Sequence, residues 1–336
     1  MKYFVLFLIL FSYILDSQCV YKLVWSDEFD GCALNTNAWN FDTGDQWYNN
    51  EMQAYSKNNV VVQNGTLLLV AKKENYLSKT FTSGRINSQL KRSFTYGRFE
   101  ARMKFPTGKG FWPGFWLWPE DDSANSYREI DIMEAVGNYP KTIYSTCWMG
   151  SNDNPQMLSS EYVLSANYDK DYHIYSADWK PGQIDYAVDG VVFASCAKVN
   201  APTGLWEFDV LKTAKFHIIL NLAVGGDWPG TPSSTTVFPS SMYVDYVRVY
   251  QDDAVTGSFA KTVLMDIKVN SCEEDYTNNH LKNGVRYLKN VGKVVTSPID
   301  NLEVETNSEC CDKCGNTDKC VAFKFISGKC SLLSQA

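Results

Sequence analysis

The stretch FTYGRFEARMKF, residues 94–105, alternates apolar and charged side chains with a period of two from Gly97 onward. Phe99, Ala101 and Met103 would fall on one face of an extended chain, and the charged residues between them on the other. Such alternation is typical of a strand in an antiparallel sheet that has one face against the core. The stretch therefore predicts a strand, and it sets the pattern for much of the chain.

Similar short segments, bounded by turn residues, recur from residue 20 to about residue 251. Examples are VVVQNGTLLLVAK (60–72), QIDYAVDGVVFAS (183–195) and MYVDYVRVY (242–250). The Asn-Gly and Asp-Gly pairs in the first two are typical of two-residue β-hairpin turns. No long segment has the 3.6-residue period of an amphipathic helix. The pattern predicts an all-β fold, a β-sandwich with curved antiparallel sheets.

Charge and the N-terminal residues favour an exported protein. The net charge of −7 at pH 7 offers no basic surface for nucleic acid. The apolar run from Tyr3 to Leu15 follows Lys2 and precedes small residues, which is typical of a secretory signal peptide over residues 1–19. The run is too short for a comfortable membrane span. We therefore expect a secreted, extracellular protein without membrane insertion.

Cysteines are concentrated near the end of the chain, where six of the ten lie between residues 272 and 336. An even cluster of cysteines in an oxidising compartment predicts a small disulfide-rich module. We place it at residues 259–336, after a linker at residues 252–258. Zinc binding is the alternative, but no pair of histidines lies nearby. Elsewhere, early cleavage of the signal peptide would leave Cys19 available to Cys32.

Three carboxylates stand close together in REIDIMEAVG, residues 128–137. Because side chains alternate along a strand, Glu129 and Asp131 share one face, while strict alternation would turn Glu134 to the other. A β-bulge inserts one extra residue and would return Glu134 to the first face. We therefore predict a bulge in this strand, with Met133 as the extra residue.

Three acids on one face destabilise a fold, because like charges repel each other and burial raises the pKa of a carboxyl group. The same arrangement suits glycoside hydrolysis, in which one carboxylate attacks the anomeric carbon and a protonated second one donates to the leaving oxygen. We expect Asp131 to hydrogen-bond Glu129 and to help keep Glu134 protonated. Since short motifs also match by chance, a merely solvated acidic face is the alternative.

Other runs in the chain match a known family. With EIDIME, they make residues 20–251 resemble the laminarinases of glycoside hydrolase family 16, which are β-1,3-glucanases with a jelly-roll fold. The resemblance implies Glu129 as nucleophile, Glu134 as general acid/base and Asp131 as the assisting carboxylate. The runs, in family order, are WSDEFDG (25–31), WYNNEMQAY (47–55), TSGRINSQ (82–89), FTYGRFEARMKFPTGKGFWPGFWLWP (94–119), YSADWKPGQIDYAVDG (175–190), LNLAVGGDWPG (220–230) and VDYVRVYQ (244–251).

The resemblance also implies five substrate-binding residues. Trp112, Trp116 and Trp228 correspond to tryptophans that line the cleft in the family. Asn50 and Arg85 correspond to residues that contact sugar hydroxyls. The alternatives are structural: Arg85 would pair with a carboxylate of the sheet, and Trp116 would serve the core.

Some positions differ from the family or carry an expectation of their own. Where the family commonly has a histidine on the strand after the catalytic one, this chain has Trp148, and we expect a polar contact near the cleaved bond to be lost. Asp227 replaces the commoner asparagine of GGNWPG and adds a charge at the rim. We expect Trp118 in the core, and Cys147 with Cys196 forms one candidate disulfide.

A structural calcium ion is a further implication of the resemblance, since relatives often carry one on the convex side. Glu28, the carbonyl of Gly65 and Asp245 occupy the matching runs, and hard oxygen ligands suit calcium. Ordinary surface acids are the alternative. No cofactor is required for catalysis.

The run from residue 283 to 334 resembles the PAN/apple fold through its CxxC, CxAFxF and CxLxS motifs. Apple-like modules bind proteins or carbohydrates, and a stabilising appendage is the alternative. We favour a bridge between Cys314 and Cys320. This leaves the remaining four cysteines to pair with one another, namely Cys272 and Cys330 with Cys310 and Cys311.

The sequence thus predicts a monomeric, secreted endo-β-1,3-glucanase that hydrolyses β-glucan by a retaining double displacement. A non-hydrolytic β-glucan recognition protein is one alternative, although the intact glutamates count against it. A glucan transglycosylase is another, because hydrolysis and transfer share the covalent intermediate.

Overall fold

A computed structural model of the chain describes residues 21–121, 126–206, 208–209 and 215–252, and beyond these only the backbone of five strands between residues 281 and 334. The predicted signal peptide, almost all of the linker and the cysteine pairings of the predicted C-terminal module lie outside the described residues. No helix in the described part is long and apolar enough to cross a membrane.

The described chain is built from strands, and a 3₁₀ turn, η1 (Lys57–Asn59), is the single helical element among the described residues. The strands are, in chain order, β1 (Lys22–Asp27), β2 (Asn40–Phe41), β3 (Gln53–Tyr55), β4 (Val60–Gln63), β5 (Thr66–Ala71), β6 (Phe81–Ser83), β7 (Arg85–Asn87), β8 (Ser93–Phe94), β9 (Gly97–Lys104), β10 (Phe111–Pro119), β11 (Tyr127–Glu134), β12 (Thr142–Ser151), β13 (Asn154–Val163), β14 (His173–Lys180), β15 (Gln183–Val188), β16 (Val191–Ala197), β17 (Phe216–Val224), β18 (Ser240–Gln251), β19 (Leu281–Lys282), β20 (Val285–Arg286), β21 (Ser297–Glu303), β22 (Cys320–Ile326) and β23 (Lys329–Ser334).

Two eight-stranded antiparallel sheets form the body of the fold. Sheet 1 has the order β16-β15-β14-β9-β18-β5-β4, with β1 also paired to β18. Sheet 2 has the order β13-β12-β11-β10-β17-β7-β2, with β8 also paired to β17. Strands β3 and β6 form a separate parallel pair. Each sheet combines runs of consecutive strands with pairs from distant parts of the chain, such as β9 with β18 and β10 with β17. Such long-range pairs are typical of a jelly roll rather than a simple meander.

The core lies between the two sheets and follows the alternation seen in the sequence. On β9, the side chains of Phe99, Ala101 and Met103 are fully buried, while the charged residues between them are half-buried. On β10 of the other sheet, Phe111 and Phe115 are fully buried in the same core. The predicted all-β sandwich is therefore confirmed, and the curvature of its sheets stays a prediction.

Two predicted hairpin turns are present. Asn64 and Gly65 join β4 to β5 with φ of 52° and 69°, and Asp189 and Gly190 join β15 to β16 with φ of 50° and 78°. Positive φ at both central residues is the geometry of the type I′ turn, which asparagine, aspartate and glycine tolerate best.

A disulfide between Cys147 of β12 and Cys196 of β16 links the two sheets across 49 residues of sequence. The candidate bridge from the sequence is therefore confirmed. Cys32 is also disulfide-bonded. Cys19, which would be available to it if the signal peptide were cleaved early, lies outside the described residues.

In the C-terminal region, the described backbone forms an antiparallel sheet in which β23 lies between β21 and β22, and a separate pair of β19 and β20. The apple-like identity of this region and its ligand stay predictions.

Candidate active site

A β-bulge interrupts the register of β11 with both of its neighbours in sheet 2. Across β10, Met133 lies opposite Phe115 and Asp131 lies opposite Trp116. Ile132 therefore has no opposite residue on β10. The predicted bulge is confirmed, but the prediction of Met133 as the extra residue was wrong. The alternation of side chains along the strand requires one extra residue between Asp131 and Glu134. It does not say whether Ile132 or Met133 keeps an opposite residue on β10.

A buried hydrogen bond stabilises the bulge. The hydroxyl of Ser145 on β12 donates to the backbone carbonyl of Ile132 at 2.7 Å. A bulge removes backbone groups from the ladder, and a buried carbonyl without a partner is costly. With the bulge in place, Glu134 returns to the face of the strand that carries Glu129 and Asp131.

Each of the three acids has a hydrogen-bond partner in sheet 2. The hydroxyl of Tyr127 donates to Glu129 Oε2 at 2.8 Å. The indole Nε1 of Trp112 donates to Glu134 Oε1 at 2.8 Å. Asp131 hydrogen-bonds Glu129, as the sequence predicted.

Burial raises the pKa of all three carboxyl groups, but not to the same extent. The pKa of Glu134 rises to about 8, first through burial and then through the negative charge of Glu129. Burial and the charges of Glu129 and Glu134 hold the pKa of Asp131 well above its usual range. The pKa of Glu129 is also raised by burial, but hydrogen bonds from Asp131 and Tyr127 and the charge of Arg85 oppose that rise.

The site thus favours a protonated Glu134, whose pKa of about 8 lies above neutral pH. Beside it, two hydrogen bonds and the charge of Arg85 stabilise the ionised form of Glu129. A proton donor next to a stabilised carboxylate is the arrangement that a glycosidase needs. The proton of Glu134 is held by burial and by the charge of Glu129. Asp131, which the sequence predicted to assist in holding it, is not among the causes of the raised pKa. Among the described residues, no salt bridge joins any of the three acids to a basic side chain.

Three tryptophans of β10 lie on the same face of sheet 2 as the acids. Trp112, Trp116 and Trp118 are half-buried and alternate with core residues along the strand. The prediction of Trp118 as a core residue was therefore wrong. Its ring lies edge-on to Trp116 at 6.0 Å and to Tyr127 at 5.4 Å between ring centroids.

Aromatic rings flank the acids on two sides. Beside Glu134, the ring of Trp228 contacts Trp112 at 5.5 Å and Tyr144 at 4.9 Å, and Trp228 remains 41% exposed. An exposed ring of this kind can stack on the apolar face of a sugar. A second group of aromatic rings lies beside Glu129 and consists of Trp116, Trp118, Tyr127 and Trp148.

Arg85 and Asn50 are both engaged by other protein groups. The guanidinium of Arg85 pairs with Asp42 at 2.8 Å and lies over the rings of Trp47 and Trp116, 4.9 Å from each centroid. These contacts support the structural alternative for Arg85. The side chain of Asn50 donates to both carboxylate oxygens of Asp227, at 2.9 and 3.1 Å.

Trp148 lies opposite Glu129 on β12, and a hydrogen bond from its side chain acts to lower the pKa of Asp131. The expected loss of a polar contact at the position of the family histidine stays a prediction. Asn221 was missed by the sequence argument, although it accepts a hydrogen bond from Trp116 Nε1 at 2.8 Å. Its place in the strand run LNLAV, where every neighbour is apolar, is the signal that marks it.

The predicted calcium ligands have other partners. Glu28 accepts two hydrogen bonds from Arg248, at 3.1 and 2.8 Å, and Asp245 pairs with Arg102 at 2.8 Å. The described residues contain no group of three or more acidic, histidine or cysteine side chains that could hold a metal ion. Because guanidinium groups already neutralise both carboxylates, the donor set does not fit calcium in this arrangement. The calcium ion, with Gly65 as its third ligand, stays a prediction that these contacts do not support.

Two packed antiparallel sheets that present paired carboxylates among tryptophans are typical of a polysaccharide-processing enzyme. The family model "Glycosyl hydrolases family 16" matches residues 47–248 of this chain. A beta-glucanase of Rhodothermus marinus is 36% identical over 255 residues, which cover 70% of this chain and 87% of that protein. A glucan endo-1,3-beta-glucosidase A1 of Niallia circulans is 36% identical over 69% of this chain and 38% of that protein. The chain therefore belongs to glycosyl hydrolases family 16, and it is a glycoside hydrolase.

Solved structures agree with this assignment. The laminarinase catalytic domain of Thermotoga maritima is similar with a TM-score of 0.64 and 36% identity, covering 69% of this chain and 98% of that one. An endo-beta-1,3-glucanase of Pyrococcus furiosus is similar with the same TM-score of 0.64, covering 69% of this chain and 95% of that one. The family jelly roll predicted for residues 20–251 is thus confirmed for the body of the fold.

Proposed function

We propose that the protein is a secreted endo-β-1,3-glucanase that hydrolyses β-glucan with retention of the anomeric configuration. The observation that carries this proposal is the set of three acids on one face of β11, where Tyr127 donates to Glu129, Trp112 donates to Glu134 and no salt bridge to a basic side chain forms among the described residues. The substrate class is supported by the glucanases and laminarinases to which the chain is similar.

In the first step, a carboxylate oxygen of Glu129 attacks the anomeric carbon of the glucosyl unit. The bond to the leaving oxygen breaks, and the proton of Glu134 passes to that oxygen. The products are a covalent glycosyl ester on Glu129 and a shortened glucan with a free hydroxyl. Glu134 is left as a carboxylate.

In the second step, Glu134 acts as a base. It removes a proton from a water molecule, whose oxygen attacks the anomeric carbon and displaces Glu129. Both glutamates return to their starting protonation states. Two inversions at the same carbon give net retention.

Asp131 supports the nucleophile throughout this cycle. It carries the proton of its hydrogen bond to Glu129 because its own pKa lies well above the usual range. A neutral Asp131 avoids a second negative charge at the site and orients Glu129. The rings of Trp112, Trp116 and Trp228 would bind sugar faces along the cleft, and Asn50 would contact the polymer at the rim.

Incubation with laminarin tests the proposal. We expect short oligosaccharides that carry the β configuration when first released, followed by chromatography and proton NMR. Products longer than the starting chains would instead support the transglycosylase. Binding of the polymer without any cleavage would support the recognition protein.

The role of Glu129 is tested by E129Q, with E100Q on sheet 1 as the matched control. We expect E129Q to lose nearly all turnover while glucan binding is largely kept, since glutamine preserves the shape but cannot attack. E100Q should keep wild-type activity. Loss of binding in E129Q with activity retained would contradict the assignment.

Secretion is tested separately by expression of the full chain in a eukaryotic host. We expect active protein in the medium with its N-terminus near residue 20. Retention of uncleaved protein inside the cell would contradict this part of the proposal.

A further inference from the structure

The side chain two residues before Glu129 is a tyrosine. Residues at i and i+2 share a strand face, so Tyr127 and Glu129 lie side by side on the face that carries the acids. The hydroxyl of Tyr127 donates to Glu129 Oε2 at 2.8 Å. A hydrogen bond to an ionised carboxylate is roughly twice as strong as one between neutral groups.

Strands on both sides hold the ring of Tyr127. On the β10 side, Trp118 contacts it edge-on, with ring centroids 5.4 Å apart and planes at 89°. On the β12 side, Trp148 contacts it at 6.1 Å with planes at 60°. A ring fixed by two large neighbours loses little further freedom when its hydroxyl forms a hydrogen bond, so the donor is preorganised.

We propose that Tyr127 is a positioning residue for Glu129, which orients the carboxylate and stabilises its ionised form. The inference rests on the proposed function, in which Glu129 is the nucleophile. Trp118 and Trp148 act through Tyr127 by fixing its ring.

The groups around Glu129 leave Tyr127 a distinct role. From its own strand, Glu129 faces Tyr127, Asp131 and Glu134. Among the described residues, the two that hydrogen-bond it are Tyr127 and Asp131. From β7, Arg85 contributes only a charge, and its guanidinium already pairs with Asp42.

The remaining neighbouring strands contribute no further charge to Glu129. From β10 the described neighbours are tryptophans, which do not titrate. From β12 they are Trp148, opposite Glu129, and Tyr144, opposite Glu134. Within the described part of the chain, the hydroxyl of Tyr127 is therefore the one donor to Glu129 that does not itself belong to the triplet of acids.

The Y127F variant removes this donor and leaves the ring. We expect the acidic limb of kcat/KM on laminarin oligosaccharides to move to higher pH, because the ionised form of Glu129 loses a stabilising bond. The loss in kcat/KM should be about ten-fold on the acidic side, the usual size for a hydrogen bond to a charged group. The basic limb, which reports Glu134, should stay in place.

A matched control is available on sheet 1, where the hydroxyl of Tyr246 donates to Glu100 Oε1 at 3.0 Å. The Y246F variant makes the same chemical change away from the acids and should leave both limbs in place. An equal loss of activity at every pH in Y127F, with the acidic limb unmoved, would overturn the inference and leave Tyr127 a packing residue.

A second variant should shift the acidic limb in the opposite direction and keeps the tyrosine ring in place. Replacement of Tyr127 by 3-fluorotyrosine makes the hydroxyl a stronger donor, so the acidic limb should move to lower pH. This variant keeps the inference testable if Y127F does not fold. An acidic limb that stays in place in the fluorinated protein would also overturn it.

A direct titration separates this inference from the proposed function. Carbon-13 NMR of glutamate-labelled protein, with the Glu129 signal assigned by E129Q, follows ionisation without turnover. We expect the midpoint for Glu129 to be higher in Y127F than in the wild type. If wild-type protein does not cleave laminarin, the proposed function fails. If the midpoint is unchanged, the positioning role fails.

Discussion

The two sheets carry acidic side chains in opposite ways. On and beside sheet 1, four carboxylates are paired with basic residues. On β11 of sheet 2, three carboxylates share one face without a basic partner among the described residues. The pairs on sheet 1 are Arg98–Asp178 at 2.6 Å, Arg102–Asp245 at 2.8 Å, Lys180–Asp185 at 3.1 Å and Arg248–Glu28 at 2.8 Å.

The difference shows where the fold accepts a cost in stability. Partly exposed ion pairs such as those of sheet 1 contribute modestly and compensate each charge where it arises. The three acids of β11 form no salt bridge among the described residues, and their pKa values rise because burial disfavours the charged forms. Unpaired, desolvated acids are typical of a functional site. Sheet 1 therefore carries charges that are paired where they arise, whereas β11 of sheet 2 carries the acids of the candidate active site.

The largest expected effect comes from E134Q on sheet 2. Glutamine cannot donate a proton to the leaving oxygen, so kcat on laminarin oligosaccharides should fall about 10²- to 10⁴-fold. The D178N variant on sheet 1 should keep wild-type kcat in the same assay. Similar losses in both variants would remove the functional distinction between the sheets.

The pH dependence of stability offers a second test. The pKa of Glu134 is 4.5 in an unperturbed chain and about 8 in the folded protein. Between these values the folded state holds a proton that the unfolded state releases, so the free energy of unfolding decreases as the pH rises. E134Q removes this contribution and should be more stable than the wild type at pH 7, by on the order of 1–3 kcal/mol.

Urea unfolding at several pH values measures this effect. The stability gain of E134Q should be small near pH 4.5 and should grow towards pH 8. A constant difference across this range would mean that Glu134 does not hold its proton through folding. If E134Q lowers kcat and raises the free energy of unfolding, the wild-type residue is kept for activity at the expense of stability, as expected of a functional site.

A smaller effect is expected from W112F, which removes the hydrogen bond to Glu134 and keeps an aromatic ring. That bond lowers the pKa of Glu134, so its loss should raise the pKa further. The basic limb of kcat/KM should therefore move to higher pH, while the acidic limb stays in place. A basic limb that moves to lower pH would show that Trp112 stabilises the protonated form instead.

The smallest expected effect belongs to D178N on sheet 1. It breaks the ion pair with Arg98, whose side chain is 39% exposed and therefore well screened by solvent. The free energy of unfolding should fall by less than about 1 kcal/mol. A loss of several kcal/mol in urea unfolding would mean that the pairs of sheet 1 matter more than the comparison assumes.

Much of the fold was readable from local pattern. Alternation in residues 94–105 predicted β9 and its buried face, and Asn64-Gly65 predicted a hairpin turn. The strand and the turn each depend on residues that are close together in the chain, so both can be predicted directly from the sequence. The spacing of Glu129, Asp131 and Glu134 even predicted a bulge, because strand parity is a property of the sequence alone.

The details of the site were not readable in this way. The sequence put Trp118 in the core and made Met133 the extra residue of the bulge. The structure instead places Trp118 on the face of sheet 2 that carries the acids, and it leaves Ile132 without an opposite residue on β10. The contact of Trp148 with Asp131 was also missed. Each of these depends on which residue of another strand lies opposite.

By itself, the sequence determined the fold class, the hairpin turns and the identity of the three acids, because these follow from residue type and spacing along one strand. Only the tertiary structure decided how the pKa values of those acids differ. The pKa of each acid depends on burial and on groups brought from other strands, such as Trp112 for Glu134 and Arg85 for Glu129. These contacts arise from packing between segments far apart in the chain. The order of residues along the chain does not show that packing directly.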